Sequence, residues 1–109
     1  MNILAPLPAQ GFLMQELLQT VNRGEFTLHG FRNSDLRALL YTTSATSQKE
    51  ERKRSAAVSR RLRLLRAHGL IQKLPHTYRY QVTEKGRPII HAVLAARHAT
   101  VNHLLAQAA

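Results

Sequence analysis

The stretch KEERKRSAAVSRRLRLLRAHG, residues 49–69, carries the strongest structural signal in this sequence. It holds eight Lys or Arg and two acids, yet Val58, Leu62 and Leu65 recur among the charges at helical spacing. A disordered basic tail would not be expected to contain an apolar stripe at helical spacing, and a fully buried helix would not accommodate the arginines. The pattern therefore predicts a long amphipathic helix, with one face in a core and positive charge on the other.

Both ends of this helix have recognisable signals. Ser47 followed three residues later by Glu50 matches a capping box, and Gly69 is a natural C-terminal stop. We therefore expect the helix to extend over about 48–68, after a polar loop at 42–48.

The next segment, LIQKLPHTYRYQVT at 70–83, predicts a β-hairpin. Two short apolar runs flank a turn at Pro75-His76-Thr77. In the second run Tyr78, Tyr80 and Val82 alternate with polar residues, so we expect them on one inward face. Both tyrosines are therefore interpreted as core residues rather than as stacking platforms for bases.

Upstream of the basic helix, the apolar spacing predicts a helix over 12–21 and a weaker alternation predicts a short strand or extended segment over 26–31. A further helix, capped by Asn33 or Ser34, should run to about residue 41.

A final helix is expected over 84–106, with Thr83 as its cap. Its long apolar stripe comprises Ile89, Ile90, Val93, Leu94, Val101, Leu104 and Leu105. Two interpretations of that stripe remain open: packing on helix 12–21 of the same chain, or formation of a homodimer.

Several spaced motifs in residues 55–87 occur together: Val58-Ser59-Arg60, Leu62, Leu65, Gly69-Leu70-Ile71, Val82-Thr83 and Gly86-Arg87. This segment resembles the winged helix-turn-helix DNA-binding domains of bacterial regulators, particularly the MarR-like and ArsR-like groups. The resemblance implies a mainly α fold with a small β-hairpin (α+β), a winged helix-turn-helix with an additional C-terminal helix. Pro6, Pro8 and Gly11 predict an irregular lead-in at 1–11, and the length of the chain fits one domain at 12–109. Within that domain the resemblance implies a recognition helix at about 48–68, a wing at 70–83 and the last helix at 84–106.

The charge balance favours a polyanionic partner. Sixteen Lys and Arg residues against six acidic residues give a net charge of +10 and a pI near 11.4. Residues 49–87 contain twelve of these basic residues and three of the acidic ones. Nucleic acid is the first expectation. A membrane partner is not expected, because no apolar run approaches roughly 18–20 residues and the basic helix has no Trp or Phe on its apolar face.

A helix of this kind fits the major groove of DNA, which is about 12 Å wide. Small side chains would let its backbone approach the bases, and arginines could then reach guanine edges or phosphates. The predicted DNA-binding residues are Arg52, Lys53, Arg54, Ser55, Ala56, Ser59, Arg60 and Arg63 on the helix, and Lys73, His76, Thr77 and Arg79 on the wing.

No catalytic, cofactor or metal site is predicted. The chain has no cysteine and one aspartate, and its glutamates form no recognisable catalytic motif with its histidines. His91, His98 and His103 are separated by seven and five residues, whereas chelating pairs on a helix lie three or four apart. An enzyme is therefore not expected.

These features favour sequence-specific binding of double-stranded DNA by a small transcriptional regulator in the cytoplasm, associated with the nucleoid. Two alternatives remain open. The chain could be the C-terminal nucleic-acid-binding module of a larger mobile-element or enzymatic protein, or a winged helix that binds RNA or protein. A homodimer formed through the C-terminal helix would present two recognition helices to two half-sites.

Overall fold

The computed structural model describes residues 11–108, which form four α-helices, a short 3-10 helix and a two-stranded antiparallel sheet. The predicted mainly α fold with a small β-hairpin is confirmed. Of the irregular lead-in predicted for 1–11, all but Gly11 lies outside the described residues. The elements are α1 (Met14–Val21), the 3-10 helix (Gly24–Phe26), α2 (Asn33–Leu40), α3 (Gln48–Ala67), β1 (Ile71–Lys73), β2 (Tyr80–Val82) and α4 (Gly86–Ala108).

One hydrophobic core joins these elements. Helix α2 packs between α1 and α3, the first turns of α4 pack on α1, and β1 packs on α3. The stripe Val58, Leu62 and Leu65 is buried, as its spacing predicted. The other buried apolar residues are Phe12, Leu17, Leu18, Val21, Phe31, Leu36, Leu40, Ala57, Ile71, Val82 and Ile90.

Helix α3 begins and ends where its local signals predicted. At its start, the backbone N–H of Glu50 donates to the Ser47 hydroxyl at 3.1 Å. At its end, the N–H groups of Leu70 and Gly69 donate to the carbonyls of Leu65 and Arg66, each at 3.0 Å. Gly69 has φ +73°, a left-handed conformation that suits glycine. Those bonds satisfy carbonyls that the helix end would otherwise leave unpaired.

The strand expected at 26–31 is wrong. The chain forms a 3-10 helix ending at Phe26 and then a turn, and only Phe31 pairs with the sheet, through an isolated bridge to Tyr80. Phe31 exchanges two backbone hydrogen bonds of 2.8 Å with Tyr80, and the two rings stack. The weak alternation misled because Phe26 and Phe31 both pack inward, across a turn that places Gly30 at φ +71°.

The N-cap predicted for α2 is also wrong. Arg32 occupies the cap position, and its backbone N–H donates to the Asp35 carboxylate at 2.8 Å. Asn33 lies in the first turn, and its side-chain amide instead donates to α3. Because this side chain bonds to Ser55 and Ser59, which are more than twenty positions away, it does not cap α2 as its residue type suggested.

The predicted hairpin is confirmed, with Ile71 opposite Val82 and Lys73 opposite Tyr80. Tyr78, however, is 84% exposed, so its assignment to the core is wrong. Strand β2 begins only at Tyr80, and Tyr78 lies in the preceding turn, where strand alternation does not apply.

Within the described residues, only the first turns of helix α4 pack against the rest of the protein. The Gly86 N–H donates to the Thr83 hydroxyl at 2.8 Å, which agrees with Thr83 as the cap. Ile90 is buried and Leu94 half-buried, whereas Val101, Leu104 and Leu105 are exposed. The predicted apolar stripe therefore packs on its own chain for about two turns and continues uncovered beyond them.

Candidate nucleic-acid interface

The outward face of α3 is strongly basic. At 100° per residue it lies opposite the buried Val58, and its members are all exposed. We call this set the basic face; it comprises Lys49, Arg52, Lys53, Ala56, Arg60 and Arg63. Helix rise separates Lys49 from Arg63 by about 21 Å, so the face presents a cationic strip along four turns.

The two acids of α3 lie off this face and are held there by other partners. Glu51 lies 3.5 Å from the guanidinium of Arg37, and Glu50 lies 2.9 Å from that of Arg54. Within residues 11–108, the ion pairs are these two and Arg23–Glu25, and none involves the basic face. The positive charge of the strip is therefore left for an external anion.

Glu50 anchors the first turn of α3. Its carboxylate accepts hydrogen bonds from the hydroxyl and the backbone N–H of Thr46, the latter at 2.8 Å. The pKa of Glu50 is lowered to about 2, chiefly by these two bonds from Thr46. Desolvation opposes them, and the hydrogen bond and charge of Arg54 make smaller contributions that lower the pKa. A carboxylate at the helix N-terminus also interacts favourably with the helix dipole.

Arg54, predicted to contact DNA, has a different position. Its guanidinium lies 4.5 Å from the centre of the Tyr41 ring and donates to the Thr43 carbonyl at 2.7 Å, besides its bond to Glu50. Only 15% of the side chain is exposed. Burial raises the pKa of the Tyr41 phenol, opposed by the charges of Arg54, Arg37 and Arg60. Arg54 thus fixes the loop before α3 rather than joining the basic face.

The predicted serines lie along the edge of α3 that faces α2. The Asn33 side-chain amide donates to the Ser55 carbonyl and to the Ser59 hydroxyl, both at 2.9 Å. The Arg37 guanidinium in turn donates to the side-chain oxygen Oδ1 of Asn33 at 2.7 Å, which fixes the orientation of the amide. Ser55 is half-buried in this contact, whereas Ser59 remains exposed beside the basic face.

Arg32 is a candidate that sequence reasoning missed. It is exposed and precedes Asn33, so its backbone lies next to the middle of α3. One sequence signal could have identified it. A basic side chain at the start of a helix interacts unfavourably with the helix dipole, so an arginine at the start of α2 indicates a role other than stabilising that helix.

An open groove of about 850 Å³ runs beside the N-terminal half of α3. Its lining includes Lys49, Lys53 and Arg60 of the basic face, together with Tyr41 and two acids, Glu16 and Glu50. The groove widens the accessible side of the basic face, so an extended anionic chain could lie along it.

The hairpin tip, residues 74–79, is a closed turn with polar contacts inside it. The Thr77 hydroxyl donates to the Leu74 carbonyl at 2.9 Å and accepts from the Arg79 N–H at 3.0 Å, so Thr77 shapes the turn. His76 is exposed with φ +59°, and Arg79 is half-buried. Lys73, at the base of the tip, is exposed and lies beside the Tyr78 ring.

The predicted site residues therefore fall into three groups. Arg52, Lys53, Ala56, Arg60 and Arg63 share the basic face, with Ser59 at its edge. Lys73, His76 and Arg79 belong to the hairpin, separate from that face along the chain. Arg54, Ser55 and Thr77 make internal contacts.

Comparisons with protein-family models, with curated proteins and with solved structures gave no match to this chain. Among residues 11–108, no three His, Asp or Glu side chains are grouped as a metal site would require. The same residues include no helix with the length and apolar character needed to cross a bilayer.

Proposed function

We propose that this protein binds double-stranded DNA through the basic face of α3 and acts as a small transcriptional regulator of the winged helix-turn-helix class. The observation that carries the proposal is the two-sided character of α3. Its inner side is a buried apolar stripe, and its outer side presents five cations with no acid among them.

The basic face suits the major groove in shape as well as in charge. Ala56 and Ser59 are small and lie between the longer side chains, so the helix backbone can come close to base edges. Arg60 and Arg63 can donate paired hydrogen bonds to guanine or to phosphate. The element order of α2, α3 and hairpin supports the winged-helix interpretation, in which the hairpin makes a second contact.

A charge-matched pair of variants tests this proposal. Arg60→Ala with Arg63→Ala removes two cations from the basic face, whereas Arg23→Ala with Lys85→Ala removes two exposed cations outside α3 and outside the stripe of α4. Gel shifts with a DNA sequence selected from a random library should show loss of specific binding for the first pair only. Normal binding by the first pair would contradict the proposal.

The charge of the basic face would also suit RNA. Binding titrations with duplex DNA and with structured RNA of equal charge, repeated at several salt concentrations, separate DNA binding from RNA binding. A protein that binds duplex DNA should prefer DNA at every salt concentration. Tighter binding to RNA would favour the alternative of an RNA-binding winged helix. A nucleic-acid-binding module of a larger mobile-element or enzymatic protein is compatible with the same surface.

The uncovered part of α4 supports a homodimer as the working form of this regulator. The proposed DNA binding implies a place in the cytoplasm, associated with the nucleoid. Ile90, Leu94, Val101 and Leu104 lie on one side of α4, and only the first two pack on the same chain. Residues 95–108 carry Arg97 but no acid, so self-association there would avoid the strong charge of α3. A two-fold dimer would present two basic faces to half-sites about one helical turn of DNA apart.

A further inference from the structure

One aromatic ring of this protein faces solvent. Tyr78 is 84% exposed, the highest value among the large hydrophobic side chains that are exposed. The other aromatic residues all make ring-to-ring contacts inside the protein: Phe12 with Tyr41, Phe26 with Phe31, and Phe31 with Tyr80. Tyr78 therefore contributes little to the core, and its ring is accessible to a ligand.

A cation lies next to this ring. The Lys73 ammonium is 5.6 Å from the centre of the Tyr78 ring, within the range of a cation–π contact. Residues 70–83 contain Lys73, His76 and Arg79 and no acid. An exposed ring beside an unpaired cation suits a ligand that is both planar and negatively charged.

The hairpin tip orders the backbone that carries the ring before any ligand arrives. The Leu74 N–H donates to the Arg79 carbonyl at 2.9 Å, and Thr77 bonds to both Leu74 and Arg79 on the inner side of the turn. Tyr78 lies within this closed loop, so its backbone needs little ordering on binding. Pre-ordering of this kind lowers the entropic cost of a contact.

We propose that Tyr78 is a stacking platform for an unpaired nucleobase, with Lys73 neutralising the adjoining phosphate. In an intact duplex the neighbouring pairs cover both faces of each interior base, so a flat stacking contact requires a base outside the stack. The protein then prefers DNA in which the duplex contacted by α3 adjoins an unpaired nucleotide. This inference rests on the DNA-binding function proposed above.

Two DNA probes test the preference: a fully paired duplex, and the same duplex extended by a short single-stranded overhang. Fluorescence anisotropy gives the ratio of the two affinities. Base–aromatic stacking predicts that the overhang improves the affinity of the unaltered protein about tenfold. Tyr78→Ala should reduce the ratio to about one while affinity for the paired duplex stays the same. Tyr78→Phe should keep the preference, because stacking needs the ring and not the hydroxyl.

Leu28 provides a matched control. It is also apolar and is 81% exposed, but it lies in the turn between the 3-10 helix and α2. Leu28→Ala should leave the affinity ratio unchanged. An equal loss of preference in Leu28→Ala and Tyr78→Ala would overturn the proposal, because exposed apolar surface in general would then account for it.

A spectroscopic readout reports stacking itself. The chain contains no tryptophan, so Tyr78→Trp introduces a single indole at the tip. Its emission should be quenched by DNA with the overhang, and less by the paired duplex. Equal quenching by both probes would contradict stacking on an unpaired base.

The two proposals fail in different ways. Equal binding of both probes, abolished by Arg60→Ala with Arg63→Ala, would overturn the role of Tyr78 and leave DNA binding through α3 intact. Binding that is indifferent to those two arginines would overturn the proposed function itself. No binding of either probe would overturn both.

Discussion

The hydroxyl of Thr83 donates to the carbonyl oxygen of Gly69 at 2.7 Å and so joins the end of α3 to the start of α4. The Thr83 hydroxyl oxygen also accepts from the Gly86 N–H at 2.8 Å, and the Thr83 backbone N–H donates to the Leu70 carbonyl at 3.0 Å. One residue therefore connects the helix with the basic face to the helix with the uncovered stripe. The hairpin between the two helices begins and ends at this junction.

Replacing Thr83 should weaken this junction in proportion to the bonds lost. Thr83→Val keeps the shape of the side chain but leaves the Gly86 N–H and the Gly69 carbonyl without it, which should cost about 1–3 kcal/mol of unfolding free energy. Thr83→Ser retains the hydroxyl and should cost much less. Urea denaturation of both variants measures the difference. Equal stability of the two variants would show that the hydroxyl contributes nothing.

A second test of the junction concerns its closest backbone approach. A Cβ atom at Gly86 would lie 2.2 Å from the Leu70 carbonyl oxygen, so Gly86→Ala must displace backbone and should destabilise the fold by several kcal/mol, on the order of the larger effects of single substitutions. Gly24→Ala is the control, because a Cβ there meets nothing within 4 Å. Thermal unfolding should show a large loss for the first variant and little change for the second. A tolerated Gly86→Ala would mean that the backbone at Gly86 does not approach the Leu70 carbonyl this closely.

Local signals accounted for the elements that the sequence predicted well. Val58, Leu62 and Leu65 lie within α3, and Ser47 and Gly69 lie within two residues of its ends, so its bounds could be predicted to within a residue. The hairpin likewise followed from adjacent residues. The mainly α fold with one hairpin rests on these short-range patterns.

Local patterns could not predict side-chain positions that depend on another element or on the residue at which a strand begins. Asn33 is a favourable cap by residue type, yet it bonds to Ser59, 26 residues away. Arginine is a residue type that commonly contacts DNA, but the side chain of Arg54 packs on Tyr41. Tyr78 continues the alternation of β2 past the point where the strand ends. Residue type and spacing alone carry no information about such contacts.

Acid should loosen the start of α3 through Glu50. Its pKa is about 2 in the folded protein, below the 4.5 of an unperturbed glutamate. Its contribution to stability is therefore complete above about pH 4.5 and is lost as the pH falls toward 2. Urea denaturation across this window should show a smaller decline for Glu50→Gln than for the unaltered chain. Glu84→Gln changes an exposed acid outside α3, and its stability should decline with pH as that of the unaltered chain does. If Glu50→Gln loses as much stability in acid as the unaltered chain, the acid sensitivity belongs to other groups.

The uncovered stripe of α4 should control the oligomeric state. Val101→Glu with Leu104→Glu places two charges on the stripe, and burying them in a dimer interface would be costly, so the pair should produce monomers of 12.3 kDa. Ala99→Glu with His103→Glu adds the same residues to the opposite side of the same helix and should leave the dimer intact. Sedimentation equilibrium gives the mass of each. If the unaltered chain is already monomeric, or if both pairs dissociate it equally, the stripe is not the interface. In a dimer that binds two half-sites, the monomeric variant should also lose most of its affinity for a palindromic DNA while retaining weak binding to a single half-site.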